Sequence, residues 1–271
     1  MSDKTPSPER LDYLRAGRRR KNSILIFQLL LLIVFFLQWE ITARTGSVDA
    51  FIVSSPSRML ETLKNLYASG DLWLHLGTSC LETVAGFLLG TVLGTIIAIG
   101  LWWSDYVSKI LEPYLVVLNA LPKTALGPIF IVWMGAGAGS IIAMTLAISI
   151  VVTILNMHVG FLSTDREKIR LMRTFGATKW QILTKLVFPA NYATLFNTLR
   201  VNVGLSWVGV IMGEFLVSKA GLGYLIVYGS QVFNMDLVMT TVILLAIAAV
   251  AMYQCVLWIE KLLKKHLGVI E

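Results

Sequence analysis

The chain has 271 residues, 56% hydrophobic and 14% charged, with a mean hydropathy of +0.73. That is too little charged surface for a soluble domain of this length, and too short a chain for a membrane domain plus a sizeable soluble one. The net charge of +7 is scattered in short clusters between apolar runs, which argues against a nucleic-acid-binding protein.

A basic tail, 1–22, precedes the first apolar run, 23–40. A basic segment before an apolar one also describes a signal peptide. Here Trp39 and Glu40 follow with no small-x-small cleavage site, so an anchored helix is expected. Next comes "PSRMLETLKNLYASG", with Met59, Leu60, Leu63 and Leu66 at helical spacing and Pro56 or Ser57 near the start. This predicts a short amphipathic helix on the membrane surface.

Five further apolar runs follow, at 74–103, 113–134, 140–160, 195–217 and 237–260, leaving a tail at 261–271. Each can place about 20 helical residues across a bilayer. Backbone polar groups must be satisfied within each segment there, and the alternation of a barrel strand is missing. The expected fold is an all-α integral membrane protein with six transmembrane helices.

Polar residues inside these runs are the candidates for function. In the second run Gly86, Gly90 and Gly94 share one helix face and let another helix approach closely; ordinary packing and a sliding contact both fit. Cys80 and Cys255 fall inside apolar runs and read as small hydrophobes rather than a disulfide pair. In the third run Pro122 and Pro128 are expected to interrupt the helix, and Lys123 must snorkel, pair or face water. In the fourth, His158 reads as a packed or interfacial residue. In the fifth, Asn197 and Arg200 share a face, Arg200 can snorkel, and Glu214 either faces a path, caps local structure or pairs with a base. No zinc-type spacing, CxxC or GxxxxGK is present, so no catalytic residue, metal or nucleotide is expected on this chain.

Charge concentrates between the fourth and fifth runs, in "DREKIRLMRTFGATKWQILTKLVFP", Asp165 to Pro189. Ile169, Met172 and Phe175 lie near one face of a first short helix. Gly176 lets the backbone turn, Thr178 can cap a second helix, and Pro189 marks a break. Of the 23 Lys and Arg residues, seventeen fall on the side of the termini: seven in the first tail, Lys109, six in this stretch and three at the end. Only Arg44, Arg58, Lys64 and Lys219 fall opposite. The positive-inside bias places both termini and this helical hairpin in the cytoplasm. A lipid-headgroup site could use such charge, but two short helices suit the docking of a soluble motor subunit better.

Three stretches carry a resemblance: "LPKTALGPIFIVWMGAG" at Leu121–Gly137, "FGATKWQILTKLVFPA" at Phe175–Ala190, and "LRVNVGLSWVGVIMGEFLVSKAGLG" at Leu199–Gly223. With them the chain resembles the membrane permease subunits of bacterial ABC importers, and among these the nitrate, sulfonate and taurine branch. The resemblance spans roughly 56–263. It implies the type I importer permease fold in the bacterial inner membrane. It also implies a homodimer, two separate ATP-binding cassette subunits that carry ATP and Mg2+, an external solute-binding protein and surrounding lipid. Gly176 and Pro189 match the family's coupling signature, whose Glu-Ala-Ala positions read Arg170, Leu171 and Met172 here. The implied coupling residues are Arg170, Arg173, Phe175, Gly176, Ala177, Thr178, Lys179, Trp180 and Pro189. Trp207, Glu214, Gly221 and Gly223 match the branch pattern near the path and outer gate, and join Pro122, Lys123, Asn197 and Arg200 as candidates. The implied cargo is a sulfonate or other small organic anion, an inorganic oxyanion, or a small vitamin-precursor heterocycle.

Three rivals remain at this point. An ion-coupled secondary transporter would usually show an internal repeat, and none is evident. A scaffold would bind an ATPase without transport. An intramembrane enzyme would need a clustered nucleophile or metal site, whereas His75, His158 and His266 are scattered.

Overall fold

The computed structural model describes residues 8–266, and every regular element among them is helical. Helix α1, Pro8–Arg44, begins inside the expected tail and runs beyond residue 40. Its end is tied down by Glu40, which pairs with Arg44 at 2.5 Å and accepts from Ser57 N at 3.0 Å. After the single turn α2, Ala50–Val53, comes α3, Pro56–Ser69. Ser55 caps α3, Pro56 fits its first turn, and Gly70 at φ +84° ends it. The amphipathic helix therefore has the expected bounds. Met59 is buried and its carbonyl accepts from Thr240 Oγ1, while Leu60 is exposed.

Helix α4, Asp71–Trp103, is the longest unbroken span. The third expected span, 113–134, is not one helix. Helix α5, Asp105–Ala120, starts earlier at a Ser104 cap and contains Pro113. It stops because Pro122 forces Leu121 into extended backbone, φ −64°, ψ 138°. A 3-10 turn, Lys123–Leu126, then leads into α6, Gly127–Met134, and the two halves meet at 89°. Pro128 does not interrupt anything: it occupies the first turn of α6, where its missing N–H costs nothing.

Helix α7, Ala138–Leu162, completes the fourth span. The charged stretch holds α8, Arg166–Thr174, and α9, Lys179–Ile182; α9 continues through a π-helical stretch, Leu183–Val187, into α10, Phe188–Ala190. Pro189 thus sits within a helical run instead of ending it. Its missing N–H and its ring displace the usual i→i−4 bond, and Phe188 N–H reaches Leu183 O instead. The break comes at Asn191. Helix α11, Tyr192–Val217, is followed by α12, Leu222–Gln231, which the hydropathy pattern did not announce. Helix α13, Met235–His266, runs past the expected boundary at 260. Among the described residues, five helices are long and apolar enough to cross a membrane, and six spans result if the bent pair is one.

The interior is a bundle of α4, α7 and α11. Without a hydrophobic drive between helices in lipid, close packing of small residues holds such helices together. Gly86, Gly90 and Gly94 of α4 face Thr145, Ser149 and Thr153 of α7; a Cβ on Gly94 would come within 2.6 Å of Thr153 Cβ. The glycine face is therefore a contact within one chain. At one of the same residues of α7, a Cβ on Gly209 of α11 would lie 2.6 Å from Thr145 Cα. The hydroxyls in this seam donate to carbonyls one turn back, as Thr145 does to Ile141 O at 2.9 Å and Thr153 to Ser149 O at 2.9 Å. Asn202 of α11 donates to Thr91 of α4 at 3.0 Å and Thr153 of α7 at 2.8 Å, joining all three helices. Helix α1 stands apart, its main contacts being with α2 and α3.

Candidate functional site

The α8–α10 segment is a preorganised hairpin. Asp165 caps α8 by accepting from Glu167 N at 2.8 Å. The helix closes in a Schellman motif: Gly176 N donates to Arg173 O at 2.9 Å and Ala177 N to Met172 O at 3.0 Å. Gly176 has φ +76°, the left-handed conformation that motif requires. Thr178 and Gln181 then form a reciprocal capping box. Ile182, Leu183 and Val187 are buried against Ala98 of α4 and against Met157 and Phe161 of α7. Asn191, also buried, donates to Thr164 Oγ1 at 2.9 Å and to Val187 O at 2.8 Å, locking the corner into α11.

The opposite surface of the hairpin is open. Phe175 is 81% exposed and Trp180 61%, flanked by exposed Arg170, Arg173 and Lys179. Lys179 donates its ammonium to the Trp103 carbonyl and lies 5.4 Å from the Trp103 ring centroid. A cation there complements the C-terminus of α4. The coupling candidates thus lie together on one element, whose buried face grips two spans while its exposed face presents aromatic and basic groups.

At the other end of α11, Glu214 is 1% exposed. It accepts from Ser79 Oγ of α4 at 2.5 Å and from Gly223 N at 2.5 Å. Ser79 Oγ in turn accepts from Leu222 N at 2.7 Å, and His75 Nδ1 accepts from Gly221 N at 2.9 Å. Gly221, at φ +117°, and Gly223 have no side chain to hold the turn away from the carboxyl; a Cβ on Gly223 would lie 2.7 Å from Glu214 Cβ. Three of the gate candidates, Glu214, Gly221 and Gly223, therefore meet in one junction of α4, α11 and α12. Among the three roles open to Glu214, the structure places it as a cap for local structure. Its partner Ser79, the Gly221 partner His75, and Glu82 on the same helix were not singled out from the sequence. Their spacing along one face of an apolar helix was the available signal.

The other candidates lie elsewhere. Pro122 and Lys123 are at the 89° bend, where Lys123 Nζ donates to Asn119 O at 3.2 Å. Asn197 is exposed. Arg200 does not snorkel: it pairs with buried Glu260 of α13, which Lys264 also contacts at 3.0 Å. Trp207 is buried beside an apolar cavity of about 420 Å3 between α4, α11 and α13. His158, one of the residues read as packed, bonds Ser108 at 2.7 Å.

Residues 90–269 match the family model described as the binding-protein-dependent transport system inner membrane component. The chain belongs to that family. This permease is 29% identical over 219 residues to the putative aliphatic sulfonates transport permease protein SsuC of Bacillus subtilis, covering 81% of this chain and 79% of that one. It is 30% identical over 200 residues to the formylaminopyrimidine transport permease protein ThiX of Halalkalibacterium halodurans, covering 73% and 77%. These relatives support the sulfonate and taurine branch. A solved bacterial ABC transporter involved in import of the acidic polysaccharide alginate superposes with a TM-score of 0.64 at 14% identity, over 91% of this chain and 98% of that one. That likeness shows the importer permease fold. The permease is a multi-pass inner-membrane subunit of a transporter.

Proposed function

We propose that two copies of this permease form the translocation path of an ATP-driven importer, with both termini and the α8–α10 hairpin on the cytoplasmic side. Two separate ATP-binding cassette subunits dock on the hairpins, and an external binding protein delivers the solute. The observation that carries this reading is the two-faced hairpin: Phe175 and Trp180 stand exposed on an element whose other face is buried against α4 and α7. A capped, packed hairpin passes displacement to the bundle, as a flexible basic tail would not. The permease itself contributes a path and a linkage, with ATP and Mg2+ bound and turned over on the partner subunits.

The cargo proposed is a small polar solute of the sulfonate or vitamin-precursor class; the names of the sulfonate and formylaminopyrimidine permeases it resembles support it. The test reconstitutes the permease with its ATPase subunits and binding protein in liposomes and screens small sulfonates, oxyanions and pyrimidine precursors. Solute-stimulated ATP turnover with uptake is expected. Binding of the ATPase without solute-dependent turnover would instead identify a scaffold. Labelling that places Lys179 outside the cell would reject the orientation.

A further inference from the structure

Lys179 stands where its own helix has no use for it. It is the first residue of α9, whose first turn carries no acid, and a cation at a helix N-terminus opposes the dipole. Its charge is used elsewhere. Helix α4 ends at Trp103 with no basic residue in its last turn, and a helix end leaves carbonyls that need partners from outside. Lys179 reaches across 76 positions and donates its ammonium to the Trp103 carbonyl. The same Nζ lies 5.4 Å from the centroid of the Trp103 ring and 5.9 Å from that of Trp102. The next residue, Trp180, sets its ring 6.4 Å from the Trp103 ring. Among the described residues, no other cation of the Asp165–Pro189 stretch bonds outside it; Lys168 meets only Asp165, at 4.0 Å.

This contact is the hairpin's second hold on α4. The first is apolar: Ile182, Leu183 and Val187 share a cluster with Ala98, and Trp102 packs half-buried against it. Ala98 and Trp103 lie about 7.5 Å apart along the helix. A single apolar contact is non-directional and lets a short helix pivot on it. A second contact that far along the same helix removes the pivot, and this one is directional, because the carbonyl and the ring faces each fix where the ammonium lies.

We propose that Lys179 is a positioning residue for coupling, a strut between the start of α9 and the Trp103 end of α4, and not part of the surface that meets the ATPase. This rests on the docking hairpin proposed above and divides its basic groups. Arg170 and Arg173, exposed on α8, stay on the docking side, and Lys179 belongs to the linkage. Displacement of the hairpin then pushes the end of α4 directly, and reaches α7 through the seam that Gly86, Gly90 and Gly94 make with it.

The test has two arms. In the first, the full chain alone is held in lipid nanodiscs with nitroxides on Y106C and T184C, both exposed positions, after C80A and C255A remove the free thiols. Labelled chains are diluted with unlabelled ones, so that electron spin resonance reads distances within one copy. The distance distribution is expected to be narrow in the parent, broad in K179M, and narrow again in K179R, which keeps both the donor and the cation over the rings. In the second arm the permease is reconstituted with its ATPase subunits and binding protein. K179M is expected to bind the ATPase with the parent's affinity but to lose roughly 2–10-fold in uptake per ATP hydrolysed, the range carried by a cation at a helix end and over a ring. K179R should restore it. A K179M distribution as narrow as the parent's overturns the strut. So does a K179M permease that loses affinity for the ATPase, since Lys179 is then a docking group. A parent that binds no ATPase strikes the function proposed above instead, and the first arm still decides the strut.

Discussion

Substitution of Gly176 isolates the hairpin's turn from everything else in the permease. The residue sits at φ +76°, and a Cβ built there meets nothing within 4 Å. Any loss on replacement is therefore backbone strain, not a clash. For an L-residue the left-handed region costs roughly 1–2 kcal/mol, which Asn largely escapes by bonding locally. A cost of that size shifts the population of the closed turn by about 5–30-fold. The Schellman bonds Gly176 N to Arg173 O and Ala177 N to Met172 O are what that shift loosens. Uptake per ATP hydrolysed, measured in proteoliposomes at equal protein levels, should follow the order Gly, Asn, Ala, Val. The melting of the α4–α7–α11 bundle should stay unchanged, because the turn lies outside it. A valine variant that transports and couples as well as the parent refutes the claim that a fixed turn carries the movement.

Three further outcomes are expected. Gly209→Ala should destabilise the purified chain relative to Gly204→Ala by roughly 1–3 kcal/mol in SDS unfolding. Both changes gain the same helix propensity, but only the first drives a Cβ to 2.6 Å from the Thr145 backbone, while nothing lies within 4 Å of the second. Arg200→Met should cost more than Glu260→Gln in the same assay, by about 1–3 kcal/mol. The first leaves a buried carboxylate with only Lys264, whereas the second leaves an Arg whose side chain is one-third exposed and reaches water. Thr178→Ala should lower coupled uptake and loosen α9 by about 1 kcal/mol. Thr178→Ser should restore it, since the cap needs only the hydroxyl that accepts from Gln181 N.

What was legible in the sequence was whatever local chemistry decides. Apolar length announced the spans, and Gly176 with Thr178 announced the hairpin, because a turn and its cap depend on residues a few positions apart. Pro122 was legible for the same reason, although the 89° bend it introduces was not. The α4 side of the junction at Glu214 was illegible because its bonds join residues 135 to 146 positions apart, Ser79 to Glu214 and His75 to Gly221, whereas Glu214, Gly221 and Gly223 lie close in sequence. Helix α12 escaped notice because its ten residues are too few for a span, and its start is capped not by the N-cap residue Gly221 but by Glu214, Ser79 and His75 from other helices. Pro189 misled because the π-helical stretch before it absorbs the missing bond, a solution that depends on burial of Leu183 and Val187 beneath it.

Helix α11 ties these parts into a mechanical argument. One end begins at Asn191, whose two bonds fix it to the hairpin and to the turn after α7. The other end carries Glu214 into the junction with α4 and α12. With 26 residues the helix spans about 39 Å, most of a bilayer. Between the ends it cannot slide along α7, because Gly209 and Gly213 bring its backbone against Thr145 and Ile141, and Asn202 holds α4 and α7 at once. The three helices are therefore joined into one body, which the proposed coupling through the hairpin would move as a unit. Relative motion is left to the elements less tightly joined to that body: the α5–α6 break at Pro122, and the turn that Glu214 clasps before α12.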